Sequence, residues 1–80
     1  MGGIIKMRNR IQLVTLTDIN KFCETVSRLN CDVYLVDPKY RYKVNAKSQL
    51  SCLMAAGEWS DLWVECEEDI YQAISEWVII

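Results

Sequence analysis

Between Thr17 and Asn30 the apolar residues Ile19, Phe22, Cys23, Val26 and Leu29 recur at i, i+3, i+4, i+7 and i+10. That is one stripe of a 3.6-residue period, and Asn20, Lys21, Glu24 and Arg28 fall outside it. A helix of this kind must bury its stripe, and in a chain of 80 residues the remaining segments must supply the opposing layer. Elsewhere the period drops to two. Asn9 to Leu16 sets Ile11 and Leu13 against Gln12; Cys31 to Val36 sets Val33 and Leu35 against Tyr34 and Val36. Tyr40 to Val44 follows the turn Asp37-Pro38-Lys39, and Asp61 to Cys66 sets Leu62, Val64 and Cys66 against Trp63 and Glu65. These alternations predict four half-buried strands, and the proline, which cannot continue a ladder, makes the middle two a hairpin.

Helix boundaries follow from capping chemistry. Thr17 or Asp18 is the expected N-cap of the first helix, and Asn30, which tolerates the left-handed conformation, its end. A short helix is expected from Ser48 to near Gly57, with Leu50, Leu53 and Met54 in helical register. The last is expected to start at Glu67-Glu68-Asp69, acids suited to a helix N-terminus, and to bury Ile70, Ala73, Ile74, Trp77 and Val78. The order β-α-β-β-α-β-α predicts an α+β domain with helices on one face of an antiparallel sheet. Residues 1–8 read as a leader and residues 9–80 as one domain.

Composition narrows the function classes. Eleven acidic residues against nine basic ones give a net charge of −2, with no basic stripe, so nucleic acid is not an expected partner. No apolar run approaches the ~18–20 residues of a membrane span, and Met1 to Met7 lacks the pattern of a secretory signal. Cys23, Cys31, Cys52 and Cys66 are widely spaced without a CxxC pair, two on apolar helix positions and one on a strand. They read as buried free thiols, which places the chain in the cytoplasm. With no histidine and no paired thiolates, neither a metal nor another cofactor is expected. The acidic cluster Glu65, Glu67, Glu68 and Asp69 reads as a solvated helix start.

The segment Val44-Asn45-Ala46-Lys47-Ser48, followed by Leu50, Leu53 and Met54, carries the most specific signal. On physical grounds Ser48 is an N-cap whose oxygen accepts from free backbone N–H groups. The segment also resembles the regulatory-serine region of HPr, the histidine-containing phosphocarrier of the bacterial sugar phosphotransferase system. The resemblance runs from about Arg10 to Ile79 through the order of elements and the Phe22 helix. It implies an HPr-like open-faced β-sandwich with strand order first–fourth–second–third, and Ser48 as a phospho-acceptor. HPr also carries a histidine in a Gly-x-His-x-Arg-Pro turn before the first helix. Here the corresponding stretch is Val14-Thr15-Leu16-Thr17-Asp18-Ile19, and the chain contains no histidine. Phosphohistidine transfer needs an imidazole nucleophile, so a phosphocarrier role is excluded on chemistry, and no enzymatic activity is expected. Some HPr-like proteins lack the histidine and keep the serine as regulatory partners. The resemblance therefore implies a bacterial, non-catalytic protein-binding domain that meets a protein such as HPr kinase or a transcriptional regulator. Lys47, Gln49, Leu50 and Leu53 are the expected contacts, although the family usually has two apolar residues after the serine and Gln49 is polar.

A second reading uses the other face of the sheet. Tyr34, Val36 and Trp63 share the parity opposite to the core, as does Val14, and would form an apolar patch if the second and fourth strands are neighbours. Arg41 and Lys43 would supply its basic rim. On this reading the chain is an oligomerising or small-ligand-binding module, a homodimer among the options, with Tyr34 and Trp63 in the interface. Trp59 is expected to fold back on the short helix.

Overall fold

In the computed structural model, residues 7–39 and 41–79 are described. Seven elements follow one another as the periodicities require: β1 (Met7–Ile11), α1 (Leu16–Ser27), β2 (Val33–Val36), β3 (Lys43–Asn45), α2 (Gln49–Glu58), β4 (Leu62–Cys66) and α3 (Tyr71–Ile74), the last running into a 3-10 turn at Ser75–Trp77. The strands form an antiparallel sheet in the order β1-β4-β2-β3, with the helices on one face. This is the α+β open-faced sandwich expected. Leu35 lies between Val44 and Val64, Val33 opposite Cys66, and Ile11 opposite Leu62. These side chains meet Ile19, Phe22 and Val26 of α1, Cys52 and Ala55 of α2, and Ile70, Ile74 and Trp77 near the C-terminus in one core. Phe22 packs edge-on to Trp77 with ring centroids 5.5 Å apart.

Several boundaries differ from expectation, β3 among them, which ends at Asn45 rather than Val44. β1 ends at Ile11, not Leu16, and takes in Met7 and Arg8 from the stretch read as leader. Thr15, not Thr17 or Asp18, caps α1: its hydroxyl accepts the Asp18 N–H at 3.1 Å. Asp18 Oδ2 in turn accepts the N–H groups of Thr15 and Val14, each at 3.1 Å. This reciprocal box uses Asp18 as its third residue, and the Thr15 N–H bond above all holds the Asp18 carboxyl below its ordinary value. At the other end α1 stops at Ser27 with Arg28 as the cap, and Leu29 reaches the core from the connection beyond.

The C-terminal region departs further. Glu67, Glu68 and Asp69 precede the helix rather than forming its first turn; Ile70 is the N-cap, and Asp69 just before it accepts the Tyr71 N–H at 3.0 Å. A helix continued through Val78 would carry the chain away from the sheet. Instead the backbone tightens into the 3-10 turn and returns to β1, where Gln12 N–H donates to Trp77 O at 2.9 Å and Ile79 N–H to Arg10 O at 3.0 Å. Val78 bridges Ile11 there. Ile70, Ile74 and Trp77 are buried as expected, while Ala73 and Val78 are half-buried. In the β2–β3 connection the buried Asp37 carboxylate accepts Arg41 Nε at 2.9 Å. Burial pushes the Asp37 pKa up, but the Arg41 bond and charge, with backbone N–H groups of the turn, outweigh it and hold the carboxyl below its ordinary value. Arg41 is thus tied to this turn rather than rimming the sheet. The Gly2-Gly3 leader and Tyr40 lie outside the described residues. Among the described residues no helix is long and apolar enough to cross a membrane.

Candidate functional site

The turn from β3 into α2 is built by side-chain to backbone bonds. Asn45 Oδ1 accepts the Lys47 N–H at 2.9 Å and Asn45 O accepts the Ser48 N–H at 3.1 Å, which reverses the chain within three residues. Ser48 then sits in extended conformation as the N-cap, its Oγ accepting the Ser51 N–H at 3.3 Å. It is half-buried. Ser48→Ala removes that acceptor, and the domain is expected to lose about 1 kcal/mol of stability in urea unfolding, with α2 otherwise retained.

The neighbours of Ser48 divide into two groups. Lys47 points inward: its Nζ donates to Leu29 O at 2.8 Å, and its carbonyl accepts the Cys23 thiol at 3.4 Å. Its ammonium is held at the end of α1. Gln49 is exposed and donates from Nε2 to Asn20 Oδ1 on α1, tying the beginnings of the two helices together. Beyond it, Leu50 is 76% exposed, and Leu53 and Met54 are also exposed. The run that marks α2 in the sequence is therefore its outer face. The inner face is Cys52 and Ala55, helped by Ala56, small side chains that let α2 lie close to α1 and the sheet. Leu16, exposed at the start of α1, stands one turn before Asn20 and adds an apolar side chain at the same end of the helical layer.

On the opposite face of the sheet, β2 and β4 are neighbours, but the four-residue apolar patch does not form. Val36 is only 2% exposed, and Val14 lies in the β1–α1 connection, away from the strands. The register instead places Tyr34 opposite Glu65 and Val36 opposite Trp63, with Arg8 and Arg10 on β1 and Lys43 and Asn45 on β3 completing two rows. Glu65, 6% exposed, binds Arg8 at 2.9 Å and Lys43 at 3.0 Å. It belongs to this charged lattice and not to an acidic helix start. Lys43 Nζ lies 4.4 Å from the centroid of the Tyr34 ring, and Arg10 binds Asp61 at 2.6 Å beside Trp63. Tyr34 and Trp63, both half-buried, are thus interleaved with ion pairs. Trp59 caps α2, packs against the core and stacks on Tyr42 with centroids 6.5 Å apart.

The fold and this site define an open-faced α+β sandwich in which a half-buried capping serine opens a helix whose apolar outer face meets solvent. Comparison with protein families, curated proteins and solved structures finds no match to this chain.

Proposed function

We propose that the domain is a non-catalytic regulatory module that docks a protein partner on the outer face of α2 and is switched by phosphorylation of Ser48. The observation that carries this reading is the exposure of Leu50, Leu53 and Met54 on a helix whose buried face is formed by Cys52 and Ala55. The exposed part of these side chains gains no transfer free energy on folding, whereas fully burying a leucine against a partner is worth ~1.5–3 kcal/mol. The resemblance of the Ser48 segment to the regulatory site of HPr supplies the switch.

A phosphoryl group on Ser48 would lie at the start of a ten-residue helix, where unpaired N–H groups and the helix dipole favour negative charge. It adds roughly −1.5 to −2 charges. Because Lys47 is committed to Leu29 O, this charge stays at the surface beside Leu50, changing what a partner meets without changing the fold.

The test is intact mass after incubation with ATP and HPr kinase. The native chain is expected to gain about 80 Da, one phosphoryl group. Ser48→Asn is the stricter control beside Ser48→Ala, because asparagine also caps a helix but accepts no phosphate. Leu50→Glu, at a solvent-facing position, is expected to leave the urea midpoint unchanged and to slow phosphorylation at least about tenfold, equivalent to ~1.4 kcal/mol of lost docking. No mass gain by a kinase active on authentic HPr would leave Ser48 as a helix cap.

A further inference from the structure

The α1–β2 connection and the end of β4 bring two sulfurs together. Cys66 Sγ lies 3.5 Å from Cys31 Sγ, across an end of the sheet where Val33 is the register partner of Cys66. We infer that Cys31 and Cys66 form an oxidisable dithiol, a modification site at which a small peroxide converts the pair to a disulfide.

Geometry supports closure. A disulfide needs its sulfurs about 2.05 Å apart, so they must approach by roughly 1.5 Å. Cys66 is fixed in the β4 ladder, but Cys31 belongs to neither helix nor strand and its segment can shift without breaking a ladder bond. Access is asymmetric in the same sense. Both cysteines line a recess of about 360 Å³ with Asn30 and Asp32, Cys31 half-buried and Cys66 buried, so Cys31 is the more exposed of the two. Cys23 and Cys52 also interact with one another, but both are buried and each thiol has a backbone acceptor, Lys47 O at 3.4 Å for Cys23 and Ala46 O at 3.0 Å for Cys52. Among the described residues no group of three or more Cys, Asp, Glu or His is placed to hold a metal.

With hydrogen peroxide as oxidant the Cys31 thiolate attacks one peroxide oxygen; the O–O bond breaks and the other oxygen leaves as water after taking a proton. The resulting Cys31 sulfenic acid is attacked by Cys66 sulfur, an S–S bond forms, and the sulfenic hydroxyl leaves as a second water with the Cys66 proton. Two thiols and one peroxide give one disulfide and two waters. Burial, and then the Cys66 thiol, push the Cys31 pKa up to about 11. The charged groups around the pair are Asp32, Glu65, Glu67 and Glu68, with Lys43 and Lys47 opposing them. The rate is therefore expected to rise about tenfold per pH unit below that value.

The experiment treats the native chain with hydrogen peroxide at pH 8.5, unfolds it, alkylates with iodoacetamide and reads intact mass and tryptic peptides. Expected are a loss of about 2 Da before alkylation, a Cys31–Cys66 linked peptide with Cys23 and Cys52 alkylated, and reversal by dithiothreitol. The oxidised chain should also unfold at higher urea, because the bridge closes a loop spanning 35 positions. Cys31→Ser should abolish the bridge. A bridge in Cys31→Ser, a linkage involving Cys23 or Cys52, addition of oxygen at Cys31 without a bridge, or four unmodified thiols would each overturn the assignment.

Discussion

Phe22→Ala leaves the domain largely unfolded at room temperature. Phe22 is fully buried at the centre of the α1 stripe and meets Trp77 edge-on, so it joins the helical layer to the returning C-terminal segment. Truncating a buried phenylalanine to alanine costs 3–5 kcal/mol, through lost transfer energy and the cavity left behind. A core of this size supplies only ~3–5 kcal/mol of net stability, so the substitution removes most or all of it. Near-UV circular dichroism, which reports Trp77 in its packed setting, should collapse. Phe22→Leu, which fills more of the space, should stay folded with a lower urea midpoint. A native spectrum for Phe22→Ala would mean that the Phe22–Trp77 contact is not a keystone.

Alkaline pH is the second large lever. Burial, reinforced by Cys23, pushes the Cys52 pKa from 9.0 up to about 12. The raised value belongs to the folded state, where the thiol stays protonated; unfolded, it ionises near 9.0. The contribution is therefore fully present below pH 9 and is lost as pH rises toward 12, because the unfolded state sheds a proton that the folded state keeps. Within that window each pH unit costs about 1.4 kcal/mol per thiol. Lysines also titrate there, so the reading is a difference: urea unfolding of the native chain and Cys52→Ala between pH 8.5 and 10.5. Cys52→Ala should start lower, having lost a buried side chain, and fall less steeply, by about 0.9 kcal/mol per pH unit averaged over that interval. Equal slopes would show that Cys52 ionises freely in the folded domain.

Long apolar runs with a strong period were legible from sequence, and short or mixed ones were not. The α1 stripe, Ile19 to Val26, is buried as its spacing requires, and the strand parities that carry Val33, Leu35, Leu62 and Val64 inward hold. Strand order came from the resemblance to HPr rather than from pattern. In α2 the larger apolar residues drew the eye, but helix packing at close range needs small side chains, and Cys52 and Ala55 took the inner face. The same spacing then describes an exposed face as well as a buried one. Ser48 was legible because a cap is a local interaction. The inward turn of Lys47 was not, because its partner, Leu29 O, lies 18 positions away in the chain. Tyr34 and Trp63 were placed on the correct face, but the ion pairs of Arg8, Glu65 and Lys43 between them required the register. The approach of Cys31 to Cys66 had no local signal either.

The position of β4 sets a timetable for the chain as it is made. β4 lies between β1 and β2, yet it is the last strand in the sequence. Until residues 62–66 emerge from a ribosome, β1 lacks its β4 partner, and among the described residues the strand pairing within reach of the nascent chain is the β2–β3 hairpin. An isolated hairpin of that kind is marginal in water. α1 and α2 must wait with their inner faces unburied, and Trp77, which closes the core against Phe22, arrives later still. Folding of the domain then waits on contacts distant in sequence and is slow for its size, and the segment preceding β4 is exposed to chaperones and proteases until that strand is in place.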